Sequence, residues 1–560
     1  MEEIENQQQQ EKTQLLKGKT ETSSLMEEDF LSVGYDKKYV ILTYNQYLSK
    51  VSGGFGKLQA IGLLAIFLLK FVGQLVHMNI GFLKMMPEFL CQFPGAESQQ
   101  VCSVKQFCDN EAYLIKEGIT VSVNQTSSFS LANMVTKFDL YCSNKLQFML
   151  FGGCMIFGHF LFLIFFSHLI DTKGRKNIIL VGLFVCSGVL GIMMFIPGFD
   201  MFIYLMYACL IVLGVASGLL NLQGWIYIIE FIPKKYQAGA IIISNSGKGV
   251  ALIVGAMFFL QFSKNQFWLF FLNIIFAFMT IYLIVKYIPE SPKYFYMMKK
   301  YRKAREILEE LGQKYQGRTI KAIFKDEAKD QNIEIDETYM ESFQTEDNYT
   351  TRHEIQAIET QSKILREGYG VFDRTNFLKA FKGDKEFRMN TIGIIFCHAF
   401  SSFSFSLFTY LLPNLKGNIF LNGFLIGSFE VLAYCFSGLM MKLLGLRCQI
   451  LLCYVISFFS AVLYSVFDFQ GPSQLTNAIL LALLMFGVAA NMNSTLYAAY
   501  QCCPQELAAT FFVIQSFITQ FLVAFSPIIA EYNPGIVVFA FIVITFACFT
   551  VSYFIQYKNM

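Results

Sequence analysis

Three ionisable side chains stand inside long apolar stretches of this chain: Lys70, Lys248 and Glu430. A charge in a membrane interior is costly, and such residues usually face a cavity and mark the path of a solute or ion. The two lysines could hold an anion, or pair with Glu430 as a structural bridge. A lysine can instead reach back to the interface with its long stem, but both stand near the middle of their stretches. A second charged group is the hexapeptide Asp171-Thr172-Lys173-Gly174-Arg175-Lys176, between two apolar stretches. One acid and three bases in a tight turn suit a contact that locks helix bundles together at one membrane face and later releases them. The bases alone would also fix topology. Asp171 can cap the helix that follows, where free backbone N–H groups favour a carboxylate, or pair with a base.

Aromatic residues such as Trp225, Tyr227, Phe405 and Tyr410 could stack on a ligand or hold an ammonium on a ring face; with so many Phe and Tyr present, each is more often packing than ligand contact. His77, His159, His168 and His398 could relay protons or be hydrogen-bonded structural residues. There is no metal-ligand spacing, phosphate loop or nucleophile elbow. Gly247-Lys248-Gly249 lacks the earlier glycine of a phosphate loop and lies inside an apolar stretch. Enzyme chemistry, a metal and a bound cofactor are not expected.

These residues need a membrane scaffold, and the composition supplies one. The 560 residues are 54% hydrophobic and 15% charged, where soluble domains carry about a quarter charged residues. The net charge of +3 and the lack of a basic patch give no reason to expect a nucleic-acid partner. The chain starts polar, with Glu2-Glu3-Ile4-Glu5 and Gln7 to Gln10, so the first span is expected to act as the insertion signal. Twelve stretches approach the roughly 20 residues that cross a bilayer: 58–80, 146–169, 177–199, 202–223, 238–262, 267–288, 391–413, 418–440, 449–468, 477–498, 508–530 and 535–557. They are called spans 1 to 12 below.

Basic residues in short loops set the orientation. Lys173, Arg175 and Lys176, then Lys234 and Lys235, then Lys442 and Arg447 fall in alternate loops, and the loops between them are nearly free of bases. Both termini are therefore expected in the cytoplasm, and 81–145 becomes an exterior domain. That segment holds Cys91, Cys102, Cys108 and Cys142, enough for two disulfides in any of three pairings, or four free thiols. It also holds the glycosylation sequon Asn124-Gln125-Thr126; the sequons at Asn348 and Asn493 fall inside or within a span. The expected plan is a tail (1–57), a six-helix half (58–288), a cytoplasmic linker (289–390), a second six-helix half (391–557) and a short tail (558–560). In the linker, Tyr294, Phe295, Met298, Ala304, Ile307, Leu308 and Leu311 recur at helical spacing, as in a helix lying on the inner membrane surface. Residues 317–366 and the first 35 are polar enough to read as partly disordered.

Five places carry a resemblance to the major facilitator superfamily, and within it to the organic cation, organic anion and carnitine transporter family. They are Gly56-Lys57-Leu58-Gln59 at span 1, Val135 to Cys142, the turn Asp171 to Lys176, Pro289-Glu290-Ser291-Pro292-Lys293 after span 6, and Gly417 to Asn422 followed by Glu430. Together they cover 51–530 in order. The chain departs from the family pattern at Ser167, Thr172, Leu210, Lys442, Gln501 and Ala508, in having four exterior cysteines rather than six, and in a longer linker. The resemblance implies an all-α membrane protein of twelve transmembrane helices in two six-helix bundles, working by alternating access with its substrate site between the halves. It implies an inward gate in which Gly174 makes the turn and Arg175 pairs with an acid. Lys176, Glu230, Glu290 and Arg447 are the other gate candidates. Glu430 matches an acidic family position linked to organic cations, whereas Lys70 and Lys248 match none. Gln520 aligns with a position whose charge separates the cation and anion branches, and here it is neutral. The expected substrate is a small organic ion or polar metabolite, with a sugar porter or a transport-inactive receptor as alternatives. The plasma membrane is the expected location, and the oligomeric state is left open.

Overall fold

The computed structural model describes residues 40–42, 44–50, 56–92, 99–102, 108, 120–166, 174–232, 234–316, 322–330, 374–415, 417–470, 474–502, 508–531 and 534–555. Among these, eleven helices are long and apolar enough to cross a membrane. In hydrocarbon the backbone must satisfy its own polar groups, so each apolar stretch becomes a helix. Spans 1 to 6 lie in Lys57–Met78, Lys145–Leu161, Arg175–Phe195, Ile203–Ile229, Lys234–Met257 and Gln266–Tyr287. Spans 7 and 10 to 12 lie in Lys385–Leu411, Gln474–Cys502, Ala508–Val523 and Pro534–Phe554.

Spans 8 and 9 share one run, Ile419–Gln470, of 52 residues. Straight, it would measure about 78 Å at 1.5 Å per residue, far more than a hydrocarbon layer of about 30 Å. It breaks at Gly445, whose φ of 79° and ψ of 161° are not helical. The run therefore crosses twice, and the expected twelve crossings result.

Burial shows the two-half repeat. Spans 1 and 7 have 78% of their apolar stretch buried and spans 4 and 10 have 67%, whereas span 12 has 28%. The same serial positions in each half thus form the centre. The outer helices turn large apolar side chains outward, among them Phe195, Phe262 and Phe539, as lipid requires.

At one end of the bundle, the disulfide end, Gln100–Cys102, Phe89–Gln92 and Thr120–Val123 form a three-stranded antiparallel sheet. Cys91 pairs with Cys102 and Cys108 with Cys142. Asn133 fastens this segment to the end of span 1: its amide donates to the Phe82 and Met85 carbonyls at 3.0 and 2.7 Å.

The opposite end, the turn end, departs from the expected plan. Val40–Leu42, in the expected tail, pairs in parallel with Ala322–Phe324, which lie in the stretch expected to be partly disordered. Tyr44–Lys50 follows as a helix. Ala304 and Leu308, on the helix Tyr301–Gln316, are buried with Leu42, Tyr47, Leu48 and Phe324. Ala304 and Leu308 of the expected apolar face are thus covered by the protein's own chain, whereas Met298 is exposed. A short helix, Lys325–Asp330, follows Phe324; 317–321 and 331–366, and the first 35 residues, lie outside the described set.

Candidate translocation site and closures

At the turn end, Gly174 has φ 86° and ψ 156°, and span 3 starts on the next residue. Arg175 is buried against Glu230, to which its guanidinium donates. Ser291 donates to the other oxygen of the same carboxylate. Burial raises the Glu230 carboxyl above its usual range, with the Arg175 charge drawing it down. Glu290 caps span 3: its Oε1 accepts from the backbone N–H of Arg175 at 2.9 Å and of Lys176 at 3.1 Å, where the helix dipole favours an anion. Lys176 Nζ donates to the Ile288 carbonyl at 2.6 Å. Tyr227, expected in the cavity, instead donates to the Pro289 carbonyl and belongs to this cluster. Tyr44 donates to the Glu230 carbonyl at 3.1 Å. Asp171, Thr172 and Lys173 lie outside the described residues.

Every described partner in this cluster comes from the first half or the residues flanking it. The hexapeptide was expected to lock the two halves together, but its described residues tie spans 3, 4 and 6 of one half to each other. Arg447, the matching base of the second half, also turns inward on its own half: Nη2 donates to the Tyr553 carbonyl at 2.8 Å, over that ring.

Among the described residues, an ion pair joins the halves at the disulfide end. Lys84, just past span 1, pairs with Glu531 at the end of span 11. The lysine side chain is 3% exposed, and Lys145 donates to the Glu531 carbonyl at 3.3 Å. Beneath it Tyr410 of span 7 bears on Gly152 of span 2, its hydroxyl donating to the Gly152 carbonyl at 3.4 Å. Phe82 and Phe420 stack across the halves at 5.6 Å. Tyr410, read as a candidate substrate contact, is therefore part of this closure. Neither Lys84 nor Glu531 stood out in the sequence; each reads as a loop charge, and nothing local signals a contact across 447 residues.

Between these closures lie the three interior charges. The glycines flanking Lys248 explain how they meet. A Cβ on Gly247 would stand 3.2 Å from Lys70 Cβ on span 1, and one on Gly249 would stand 2.8 Å from the Gly427 carbonyl on span 8. Span 5 therefore touches span 1 on one side of Lys248 and span 8 on the other, and Glu430 is one turn beyond Gly427. All three side chains are buried. Lys70 donates to the Asn221 carbonyl at 3.2 Å. Glu430 Oε1 accepts from Tyr434 at 2.8 Å, while its Oε2 has no partner. The Lys248 ammonium lies 5.5 Å from the centre of the Phe405 ring. Its charge acts on both Glu430 and Lys70, but no N–O distance of 4 Å or less joins the three among the described residues.

His77 and His159 lie close by, their rings 5.4 Å apart, and His159 shares a 3.1 Å hydrogen bond with Ser217. Gln520 is half-buried on span 11 with its amide oxygen unpartnered. Trp225 is on the helix of span 4, and its side chain lies outside the described set. Asn124 accepts from the Thr126 hydroxyl at 2.7 Å next to the sheet.

The sequence model of the Major Facilitator Superfamily matches residues 119–527. The chain belongs to this superfamily. Two solved structures of a xylose transporter share the fold. One is the partially occluded, inward-open form of XylE from E. coli, with TM-score 0.56 and 11% identity over 92% of this chain and all of that one. The other is the proton:xylose symporter XylE bound to 6-bromo-6-deoxy-D-glucose, with TM-score 0.52 and 12% identity over 89% of this chain and 95% of that one. At such identity the likeness concerns the fold. Comparison with curated proteins gives no match.

Proposed function

We propose that this superfamily member is an alternating-access secondary transporter of a small organic ion or polar metabolite, within the organic cation, organic anion and carnitine branch. The carrying observation is that Lys70, Lys248 and Glu430, on spans 1, 5 and 8, converge where the two halves meet. Charges are kept there, at the cost of burial, only where they act. Lys84–Glu531, Tyr410 and Phe82–Phe420 then form one gate and the Arg175–Glu230–Glu290 cluster braces the other. With the turn end in the cytoplasm, the sheet domain is exterior, Asn124 carries a glycan, and the plasma membrane is the location. A sugar porter is the second reading, favoured by the fold shared with the xylose transporters; three buried charges favour an ionic solute over a neutral one.

Proteoliposomes holding the purified chain test this with labelled choline, nicotinate, glycine betaine and glucose. A carrier gives a saturable internal pool that shrinks when the vesicles are osmotically shrunk. Saturable binding without such a pool would mean a receptor and would end the transport reading.

A further inference from the structure

Well away from their ends, the described membrane helices carry two bases and one acid: Lys70, Lys248 and Glu430. Ionised together, they leave one positive charge in a medium that screens poorly. Lys70 rests on a backbone carbonyl, and Glu430 is half satisfied by Tyr434. Lys248 has neither a hydrogen-bond nor an ion-pair partner among the described residues, only the ring of Phe405. A buried charge without a partner is expensive, and a ligand of opposite charge relieves it. A cation would raise the local charge to two, and a zwitterion or neutral solute would leave it unchanged. A single anion cancels it.

We infer that the junction of spans 1, 5 and 8 takes an organic anion of one negative charge, a carboxylate or sulfonate, bound at the Lys248 ammonium. This deepens the carrier reading above and rests on it. The free Oε2 of Glu430 marks the far end of the site: it accepts a hydrogen bond, so the ligand carries a hydroxyl or amide N–H away from its anionic group. The Gly247-Lys248-Gly249 triplet is then the device that makes the site. Its two glycines let span 5 approach spans 1 and 8 together, and the lysine between them is held at the junction. The buried polar atoms of Ser402, Ser404, Asn491 and Gln515 in the second half also lack protein partners, and such groups call for water or ligand.

The test uses the purified full chain in detergent, with lactate, gluconate and 4-hydroxybenzoate set against choline, glycine betaine and glucose. A ligand that binds the folded state raises the thermal midpoint. One or more of the carboxylates is expected to raise it. Lys248→Met is expected to weaken that response about tenfold or more in apparent affinity, while its midpoint without ligand does not fall below wild type, since it removes an unpaired buried charge. Lys248→Arg keeps the response, and Lys248→Gln serves if the methionine variant does not fold. Glu430→Gln is expected to tighten carboxylate binding, where a cation site would lose its ligand. No response to any carboxylate, or one unchanged in Lys248→Met, overturns the assignment. If choline or glucose alone binds and fills vesicles, the anion site falls and the carrier reading stands. If carboxylates bind through Lys248 and never accumulate, the site stands and the carrier reading falls.

Discussion

Gly174 and Gly445 hold nearly the same backbone conformation, with φ 86° and ψ 156° at the first and φ 79° and ψ 161° at the second. Gly174 opens span 3 and Gly445 opens span 9, so the turn is a structural repeat although its charges are not. This backbone region is essentially open to glycine alone. The second-half turn, with Lys442 where the family pattern has an acid, thus keeps its geometry while losing part of its electrostatics.

Alanine at either glycine is expected to cost about 1–3 kcal/mol from backbone strain. Gly174→Ala should cost more, because its new Cβ would lie 2.8 Å from Glu290 Oε2, whereas one on Gly445 meets nothing within 4 Å. Thermal midpoints of the two variants check this; an equal loss would show that Glu290 gives way freely.

The Lys84–Glu531 pair joins the halves and is buried. Lys84→Met or Glu531→Met alone leaves an uncompensated charge and is expected to destabilise the sealed form by about 3–5 kcal/mol. The double methionine variant should lose less than either single one. A double variant whose midpoint falls by the sum of the two would show that the side chains do not interact.

Glu290 caps the first turn of span 3 through two backbone N–H groups. Glu290→Ala is expected to cost about 1 kcal/mol and Glu290→Gln less, since an amide oxygen can still accept. Equal losses for the two variants would exclude the capping role.

The strand Val40–Leu42 and helix Tyr44–Lys50 cover the helix Tyr301–Gln316, and Tyr47 donates to Glu309 at 2.7 Å. Deleting residues 1–50 should lower the thermal midpoint by several degrees relative to deleting 1–38, as expected when an apolar face is uncovered. Midpoints that match would show that the 40–50 segment adds no stability.

Hydropathy alone placed the spans, because a helix that must satisfy its backbone in lipid needs a long apolar run and little else. The linker helix shows the limit of such patterns: an amphipathic face shows that something covers it, not what. Ala304 and Leu308 are covered by Leu42 and Phe324, which are remote in sequence. The sequence offers Tyr227 and Tyr410 to a ligand or to packing at either end, because an aromatic ring carries no label for which end of a helix bundle it will meet.

The order of the residues by itself determined the membrane class, the two-half plan and which three charges had to be sheltered from lipid. It also supplied Gly247 and Gly249 without revealing their use. Only the tertiary structure decided that these glycines draw spans 1 and 8 onto span 5, that Arg175 braces its own half, and that Lys84 pairs with Glu531 across the halves. Each of those depends on close approach between helices far apart in the chain, and local periodicity holds no record of such contacts.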